Sequence, residues 1–523
     1  MKSKMLTRLI AMTFFAALAI TVRLTAQDNR DHRHKHHHYK LIDMGTFGGP
    51  NSSFPSLNRR GVVVGWSATS ILKLPQSDPN ICGGIDHVGS FITVAFQWQN
   101  GTLTDLGALP GGSNCSMPFS LNAKGQSVGE SENGEFDPLT GFNQSRAVLW
   151  EDGEIKDLGS FGGNQNTAFY VNNRGQIVGG SQNAIPDPFS CWGPSSTQCR
   201  AFLWQDGEMQ DLGTLGTGND ADAGFINKRG QIAGISYTSS TPNSVTGIPP
   251  LDAYLWENGK MLDIGTFGGA SSLPNALNNR GQVVGGASLA ADPGACLGIG
   301  NTANCHPFLW SEGKLIDLNT TTIGGNPLSA LEINDAGEII GAAAFPNAPY
   351  DAYLWRNGVA TDLGRLDGDC FSEAWAINSK GQIAGNSLFC DGFFHHAFLW
   401  ENGSIVDLNT LIPPGSSLQL VDIGPFSLSP APGPINERGE IAGTGVPPGV
   451  DPRDAQTKGH AFLLIPCDEH HPGVEGCDYS MVDATAQSLS FKSAARETFV
   501  PTPPFAPWRR NNRFRFPALV PTN

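Results

Sequence analysis

Residues 397–408 read A-F-L-W-E-N-G-S-I-V-D-L, and close copies of this segment recur along the chain. Two apolar runs meet across Asn402-Gly403. Both central residues of a two-residue type I′ turn need positive φ, which Asn and Gly adopt at low cost. Each copy therefore predicts a β-hairpin. The copies begin at residues 95, 147, 201, 253, 307, 352 and 397.

A second repeated turn has the form N-x-x-G and precedes each Trp-containing strand. Asn at the first position and Gly three residues later suit a type I turn closed by a left-handed glycine. Eight copies begin at Asn58, Asn122, Asn172, Asn227, Asn278, Asn334, Asn378 and Asn436. An Asp in segments resembling D-L-G also occurs eight times, at Asp43, Asp105, Asp157, Asp211, Asp263, Asp317, Asp362 and Asp407.

Each repeat unit thus holds four short strands and spans about 50 residues, which is typical of a propeller blade. The chain opens with a solitary fourth strand at 41–45 and ends the array with three strands. Pairing these two ends would close the last blade as 3+1 and leave no free edge. We therefore predict an all-β fold, an eight-bladed β-propeller of four-stranded blades. An open β repeat array is the alternative.

The repeat resembles the probable extracellular repeat family of bacterial exported proteins, called the HAF repeat family. The resemblance covers residues 41–466 and lies in N-x-x-G-Q-[IV]-x-G followed by A-F-L-W-x-N-G. The family triplet appears as His396-Ala397-Phe398 and His460-Ala461-Phe462. The eighth copy departs from the pattern, with Leu464-Ile465-Pro466 in place of the turn. The resemblance implies bacterial export and a repeat architecture, and it carries over no established enzymatic activity.

The two ends of the chain lie outside the repeats. Residues 1–26 have the basic start, apolar core and cleavage site of a signal peptide. Residues 27–40 form a His-rich linker, and residues 467–523 form a disulfide staple with a Pro/Arg-rich disordered tail. Loss of residues 1–26 removes four basic and no acidic side chains, which moves the formal charge from −15 to −19. We expect a secreted, periplasmic or cell-surface monomer with no further transmembrane segment and no nucleic-acid partner.

All ten cysteines follow the predicted signal peptide, which indicates disulfides in an exported protein. Three pairs are close in sequence, and two more bridge a loop to the next crossing between blades. Reduced, inert thiols are the alternative. The predicted pairs are Cys82–Cys115, Cys191–Cys199, Cys296–Cys305, Cys370–Cys390 and Cys467–Cys477.

Both turn types lie at one end of every blade, so the length variation gathers at the other end, the long-loop face. Insertions on one face often mark a binding face. The residue before A-F varies and begins the third strand at this face. The ligand-binding candidates are Arg146, Arg200, His306, His396 and His460. The alternative for each is a local ion pair.

His32, His34, His36, His37 and His38 form a His-rich tract that could hold a transition metal, with a solvated linker as the alternative. No nucleophile, metalloprotease or phosphate-loop motif appears, so catalytic residues stay unknown and no cofactor is predicted. We predict a binding or scaffolding module on the long-loop face, with an extracellular glycan or protein as partner. A carbohydrate-active hydrolase or lyase on the same face is the alternative.

Overall fold

The computed structural model describes residues 35–72, 91–111, 115–139, 142–190, 196–291, 296, 304–390, 395–424 and 433–483. This part of the chain is almost entirely β structure. Two four-residue helices, Leu318–Thr321 and Ala455–Lys458, and two 3-10 turns, Leu408–Thr410 and Pro452–Asp454, interrupt it. None of the helices in these ranges is long and apolar enough to cross a membrane.

The strands are numbered in chain order and group into eight antiparallel blades. Two strands precede the first blade, and one follows the last. They are β1 (Lys35–His37) and β2 (Tyr39–Asp43); blade 1, β3 (Gly48–Leu57), β4 (Val63–Leu72), β5 (Phe91–Gln99) and β6 (Thr102–Asp105); blade 2, β7 (Ser116–Leu121), β8 (Ser127–Asp137), β9 (Phe142–Glu151) and β10 (Glu154–Asp157); blade 3, β11 (Gly162–Val171), β12 (Ile177–Asp187), β13 (Ser196–Gln205) and β14 (Glu208–Asp211); blade 4, β15 (Ala221–Ile226), β16 (Ile232–Tyr237), β17 (Leu251–Glu257) and β18 (Lys260–Asp263); blade 5, β19 (Gly268–Leu277), β20 (Val283–Leu289), β21 (Cys305–Ser311) and β22 (Lys314–Asp317); blade 6, β23 (Asn326–Pro327), β24 (Glu332–Ile333), β25 (Ile339–Phe345), β26 (Ala348–Arg356) and β27 (Val359–Gly364); blade 7, β28 (Phe371–Ile377), β29 (Ile383–Leu388), β30 (His395–Glu401) and β31 (Ser404–Asp407); blade 8, β32 (Gln419–Asp422), β33 (Ile441–Val446) and β34 (His460–Pro466); and finally β35 (Met481–Asp483).

Blade 8 is completed by the N-terminal strand. β2 pairs antiparallel with β34, from Tyr39 opposite Pro466 to Asp43 opposite Phe462. The sheet order is therefore β2-β34-β33-β32, with the N-terminal strand outermost. The predicted 3+1 closure is confirmed, and the first strand of each blade is the innermost one.

A ring of eight asparagines joins the blades at the axis. Each is the first residue of an N-x-x-G turn, and its Nδ2 donates to the backbone oxygen of the corresponding Asn in the next blade, at 3.0–3.4 Å. The last bond runs from Asn436 back to Asn58, so the ring closes. This circular set of buried hydrogen bonds fixes the blade number at eight and rules out the open array.

The turns have the geometry that their sequences predict. Asn402 and Gly403 both have positive φ, at 54° and 80°, and the same holds for the other six turns of this type. In the N-x-x-G turns the Asn Oδ1 accepts hydrogen bonds from two amides, as Asn278 does from Arg280 and Gln282. Each Asp of the D-L-G segments accepts a hydrogen bond from the amide two residues later, so these eight acids share a role in the turn that follows the fourth strand.

The hydrophobic core lies between neighbouring blades rather than in one centre. One cluster joins Val128 and Leu149 of blade 2 to Ile177 and Trp204 of blade 3. Because both faces of each sheet are covered by another blade, the strands are apolar on both sides. Trp98, Trp150, Trp204, Trp256 and Trp310 are all buried, while Trp355 and Trp400 are partly buried.

The two ends of the described part of the chain meet beside blades 7 and 8. β1 pairs with β35, and the Cys467–Cys477 disulfide lies between β34 and β35. Residues 35–37, which were predicted to belong to a linker, therefore form a strand. The side chain of His36 in this strand is buried against the outer hairpin of blade 7. We call β1, β35 and residues 467–480 the terminal clasp.

Candidate functional site

Basic side chains surround the axis at the N-x-x-G end of the propeller. The third turn position is Lys or Arg in seven of the eight blades, and Ala336 takes it in blade 6. In every blade the backbone amide of this residue donates to the ring Asn Oδ1, so all these side chains start from equivalent points. All seven are exposed. We call them the basic ring: Arg60, Lys124, Arg174, Arg229, Arg280, Lys380 and Arg438.

The ring arginine side chains of blades 3 and 4 extend toward the next blade and contact its N-x-x-G turn. Arg174 donates to the backbone oxygen of Lys228, at 2.8 Å from Nε, and Arg229 Nη1 donates to that of Arg280 at 3.4 Å. Two members have acidic partners, since Arg229 contacts Glu257 and Arg438 contacts Glu440. Among the residues described, no carboxylate lies within ion-pair distance of the five other members, Arg60, Lys124, Arg174, Arg280 and Lys380.

The charge at this end changes sign with distance from the axis in blades 2 and 3. Their outer hairpin turns are acidic and exposed, with Glu151, Asp152, Glu154, Asp206 and Glu208. The inner and outer turns of a blade touch, since Gln126 Nε2 donates to Glu151 Oε1 at 2.6 Å. An anion approaching this end is therefore repelled at the rim of these blades and attracted at the axis.

Glu332 lies just inside the basic ring, two residues before the ring Asn of blade 6. Its Oε2 accepts a hydrogen bond from the Ile377 amide of blade 7 at 3.0 Å. Burial, with a smaller contribution from the charge of Glu437, raises the pKa of Glu332 to about 8. The same position in the other blades carries Ser56, Ser120, Tyr170, Phe225, Ala276, Ala376 and Pro434.

Tyr170 holds the equivalent position in blade 3, and the charge of Glu332 in blade 6 acts on it. Burial and the Glu332 charge together raise the pKa of Tyr170 to about 12. Both side chains are only partly buried. At neutral pH the two groups are protonated, so they add no negative charge behind the basic ring.

The five predicted ligand residues lie in separate blades, and the structure does not bring them together. Each contacts a carboxylate near its own third strand. Arg146 and Arg200 bind Asp157 and Asp211 in two-pronged pairs. The nearest pairs of the histidines are His306–Asp317 at 2.8 Å, His396–Asp369 at 3.1 Å and His460–Asp43 at 3.0 Å.

The long-loop end of blades 6 and 7 also holds titratable side chains with raised pKa values. Burial raises the pKa of Glu373 to about 7, and the Tyr350 hydroxyl donates to its Oε1 at 3.0 Å. The hydrogen bond to Asp369 raises the pKa of His396, while burial raises that of Asp407. These groups already pair with one another, Tyr350 with Glu373 and His396 with Asp369.

The His-rich tract is divided by the limits of the described chain. His32 and His34 lie outside it. His36 is buried, with Nδ1 3.1 Å from Glu401 and Nε2 2.9 Å from Ser404 Oγ. His38 lies 3.6 Å from Asp478. Among the residues described, no three His, Cys, Asp or Glu side chains, His37 included, are placed to hold a metal ion.

Three of the five predicted disulfides are present, Cys296–Cys305, Cys370–Cys390 and Cys467–Cys477. Cys115 is also disulfide-bonded, while its predicted partner Cys82 lies outside the described residues. Cys191, the predicted partner of Cys199, lies outside them as well. Disulfides are typical of proteins from oxidising compartments.

Sequence reasoning missed both the basic ring and Glu332. The basic ring could have been found in the sequence, since Lys or Arg recurs at the third position of N-x-x-G. The recurrence becomes meaningful only when the turns are known to surround the axis. Glu332 left no signal, because its equivalents in the other blades are unrelated residues.

No family model and no curated protein matches the chain. Similar solved structures include the acylaminoacyl peptidase of Pyrococcus horikoshii, with a TM-score of 0.37 and 10% identity over 68% of this chain and 52% of that one. Others are the propeller domain of the Trilobed protease from Pyrococcus furiosus (0.34, 10%, 68% and 95%) and TolB from Acinetobacter baumannii (0.29, 13%, 67% and 79%). The chain thus spans about half the length of the acylaminoacyl peptidase, and these likenesses concern the propeller fold.

The function predicted from the sequence is contradicted. That prediction was a binding or scaffolding module on the long-loop face, or a carbohydrate-active enzyme there, whereas the similar propellers belong to peptidases and to TolB. The structure supplies a physical reason as well. The side chains chosen for ligand binding on that face are held by carboxylates of their own blades.

Proposed function

We propose that this chain is an exported peptide-handling propeller, related to the propellers of peptidases, in which the carboxylate-bearing end of a peptide binds the basic ring and enters the channel. Export by the predicted signal peptide and membership of the HAF repeat family form part of this proposal. One observation supports it most strongly. Seven cations encircle one mouth of the channel in a protein whose net charge is −15.

The fold does not require these cations. Ala336 closes the turn of blade 6 with the same bond to Asn334 Oδ1, at 3.0 Å, as Arg280 makes to Asn278 Oδ1. A small apolar side chain thus serves the turn equally well. Seven exposed cations close together also repel one another, which lowers stability. Their repetition is therefore best explained by what they attract.

A peptide suits the channel because the inner strands are sheet edges. β3, β7, β15, β28 and β32 each end a sheet on the side of the axis. Edge strands present unpaired backbone groups, and an extended peptide can pair with them. Side chains already engage several of these amides: Glu332 accepts from Ile377, Ser56 Oγ accepts from Leu121, and Asn409 Oδ1 accepts from Leu420. In this proposal the ligand pairs with backbone groups of the remaining edge.

Binding of labelled peptides to the chain without residues 1–26 tests this function. An acidic heptapeptide with a free carboxyl terminus should bind, and its amidated version with Gln in place of Glu should bind more weakly. Lys124→Gln with Lys380→Gln should weaken binding by about fivefold to tenfold, because each exposed ion pair contributes up to about 1 kcal/mol. Affinity should also fall as salt rises.

The matched control is Lys260→Gln with Lys314→Gln, which removes the same charge from the outer turns at the same end. Equal losses in the two double variants would show a general charge effect and contradict the proposal. Equal binding of the acidic and amidated peptides would do so as well. Mass spectrometry of the same samples shows whether a bound peptide is cleaved.

A further inference from the structure

The structure contains the same two-residue slot in most blades, formed where the third strand begins and the fourth strand ends. We define the slot by the residue before A-[FY] and by the Asp of D-L-G. In blades 2 and 3 it holds an Arg–Asp pair, and in blades 5 and 8 it holds a His–Asp pair. In these blades the slot itself supplies a partner for the Asp carboxylate.

Blades 4 and 6 instead place an Asp at both positions. In blade 6 the slot residues are Asp351 and Asp362, and a guanidinium lies against the first of them, with Arg365 Nη1 2.5 Å from Asp351 Oδ1. Arg365 follows Asp362 by three residues. An acid–acid slot of this protein therefore accepts an arginine side chain.

Blade 4 has the acids without the arginine. Its slot residues are Asp252 and Asp263, and the counterpart of Arg365 is Thr266. The Thr266 hydroxyl donates to the Gly269 backbone oxygen at 2.9 Å. It brings no charge to the two carboxylates. Burial, the Asp263 charge and a hydrogen bond between the carboxyl groups raise the pKa of Asp252 to about 7.

We propose that Asp252 and Asp263 bind the guanidinium of an arginine side chain from a partner protein, which takes the place that Arg365 takes in blade 6. Asp263 is exposed and Asp252 partly so, which leaves the slot open to a side chain from outside. Arginine fits better than lysine, because its planar fork can bond two carboxylates at once. This site is separate from the basic ring and stands whether or not that ring binds peptides.

Isothermal titration with a capped Gly-Arg-Gly tripeptide tests the site on the chain without residues 1–26. The citrulline tripeptide, neutral and nearly the same shape, is the control ligand. The arginine peptide should bind at one site, and at pH 6 it should release about one proton, because the shared proton leaves as the guanidinium enters. The citrulline peptide should give no binding.

Three variants sharpen the result. Thr266→Arg should fill the slot from within and abolish binding, as Arg365 does in blade 6. Asp252→Asn should weaken binding by about fivefold or more, since it removes a charged partner. Arg365→Thr should open a second slot and raise the stoichiometry from one to two. Absence of binding to the unmodified chain, equal binding of citrulline, or unchanged binding in both Thr266→Arg and Asp252→Asn would overturn the assignment.

Discussion

The two ends of each blade use repetition differently. At the turn end the ring asparagine makes the same three bonds in all eight blades, one from its Nδ2 and two to its Oδ1, and the loss of one asparagine would interrupt a closed circle. At the long-loop end the slot residue before A-[FY] is Arg, His or Asp, depending on the blade. Each of these side chains has a partner of opposite or complementary character in its own blade, except in blade 4, where the slot holds Asp252 and Asp263 without an arginine. Uniform contacts between blades therefore determine closure, while contacts inside one blade can vary without altering the fold.

The largest effect is expected from breaking the ring. Asn278 is buried and makes four hydrogen bonds, two from its Nδ2 and two to its Oδ1. Asn278→Ala leaves buried amides and carbonyls without partners, so it should lower the free energy of unfolding by about 3 kcal/mol. Urea unfolding followed by fluorescence measures the loss. Asn279→Ala, in the same turn but bonded mainly to the exposed Asp335, should cost less than about 1 kcal/mol. Similar losses for the two would refute the comparison.

The terminal clasp should rank second. His36→Ala removes the partner of Glu401 Oε1 and of Ser404 Oγ in a buried site, which should cost about 2 kcal/mol. Gln382 still donates to Glu401 Oε2, and this limits the loss. His38→Ala is the control, because His38 contacts an exposed carboxylate and should change stability by less than about 0.5 kcal/mol. Thermal unfolding of the two variants gives the difference directly, and equal shifts would mean that the clasp is not anchored by His36.

These rankings also show what the sequence could predict. The turn types, the four strands of a blade and the 3+1 closure follow from local signals such as Asn402-Gly403 and from the order of the repeats. The ring bond of Asn436 to Asn58 joins residues 378 apart and needs the closed fold to be known. Glu332 is harder still, because its burial depends on Gly433 and Ile377 of other blades. His36 was predicted as a possible metal ligand in a linker, and no local pattern indicates that Glu401 and Ser404 bind it.

Glu332 should produce a pH-dependent effect of intermediate size. Its pKa is raised from 4.5 in the unfolded chain to about 8 in the folded protein. The folded state therefore binds the proton more tightly, and the stability that this contributes is lost as pH rises from about 5 through 8. Glu332→Gln keeps an oxygen acceptor for the Ile377 amide and has no charge to bury. Because the side chain is partly exposed, we expect the variant to be more stable than the parent by about 1 to 2 kcal/mol at pH 9 and unchanged at pH 5.

Urea unfolding at both pH values checks this expectation. Glu338→Gln serves as a control, because Glu338 lies in the same blade and pairs with Arg356 near the surface. A Glu332→Gln variant that differs from the parent equally at pH 5 and pH 9 would show that Glu332 does not carry a buried proton.

The smallest effect is expected at a slot that the chain fills itself. Arg200 pairs with Asp211, whose side chain is 40% exposed, and its Nη1 donates to the Asn219 backbone oxygen at 2.9 Å. Asp211 keeps its bond from the Gly213 amide when the arginine is lost. Arg200→Met should therefore cost only about 0.5 kcal/mol, and less in 0.5 M salt, because exposed ion pairs are weak and screened. Asp211→Ala also loses the turn contact and should cost more. If Arg200→Met destabilised the protein as much as Asn278→Ala, the slots would contribute to closure, and the difference between the two ends of the blades would disappear.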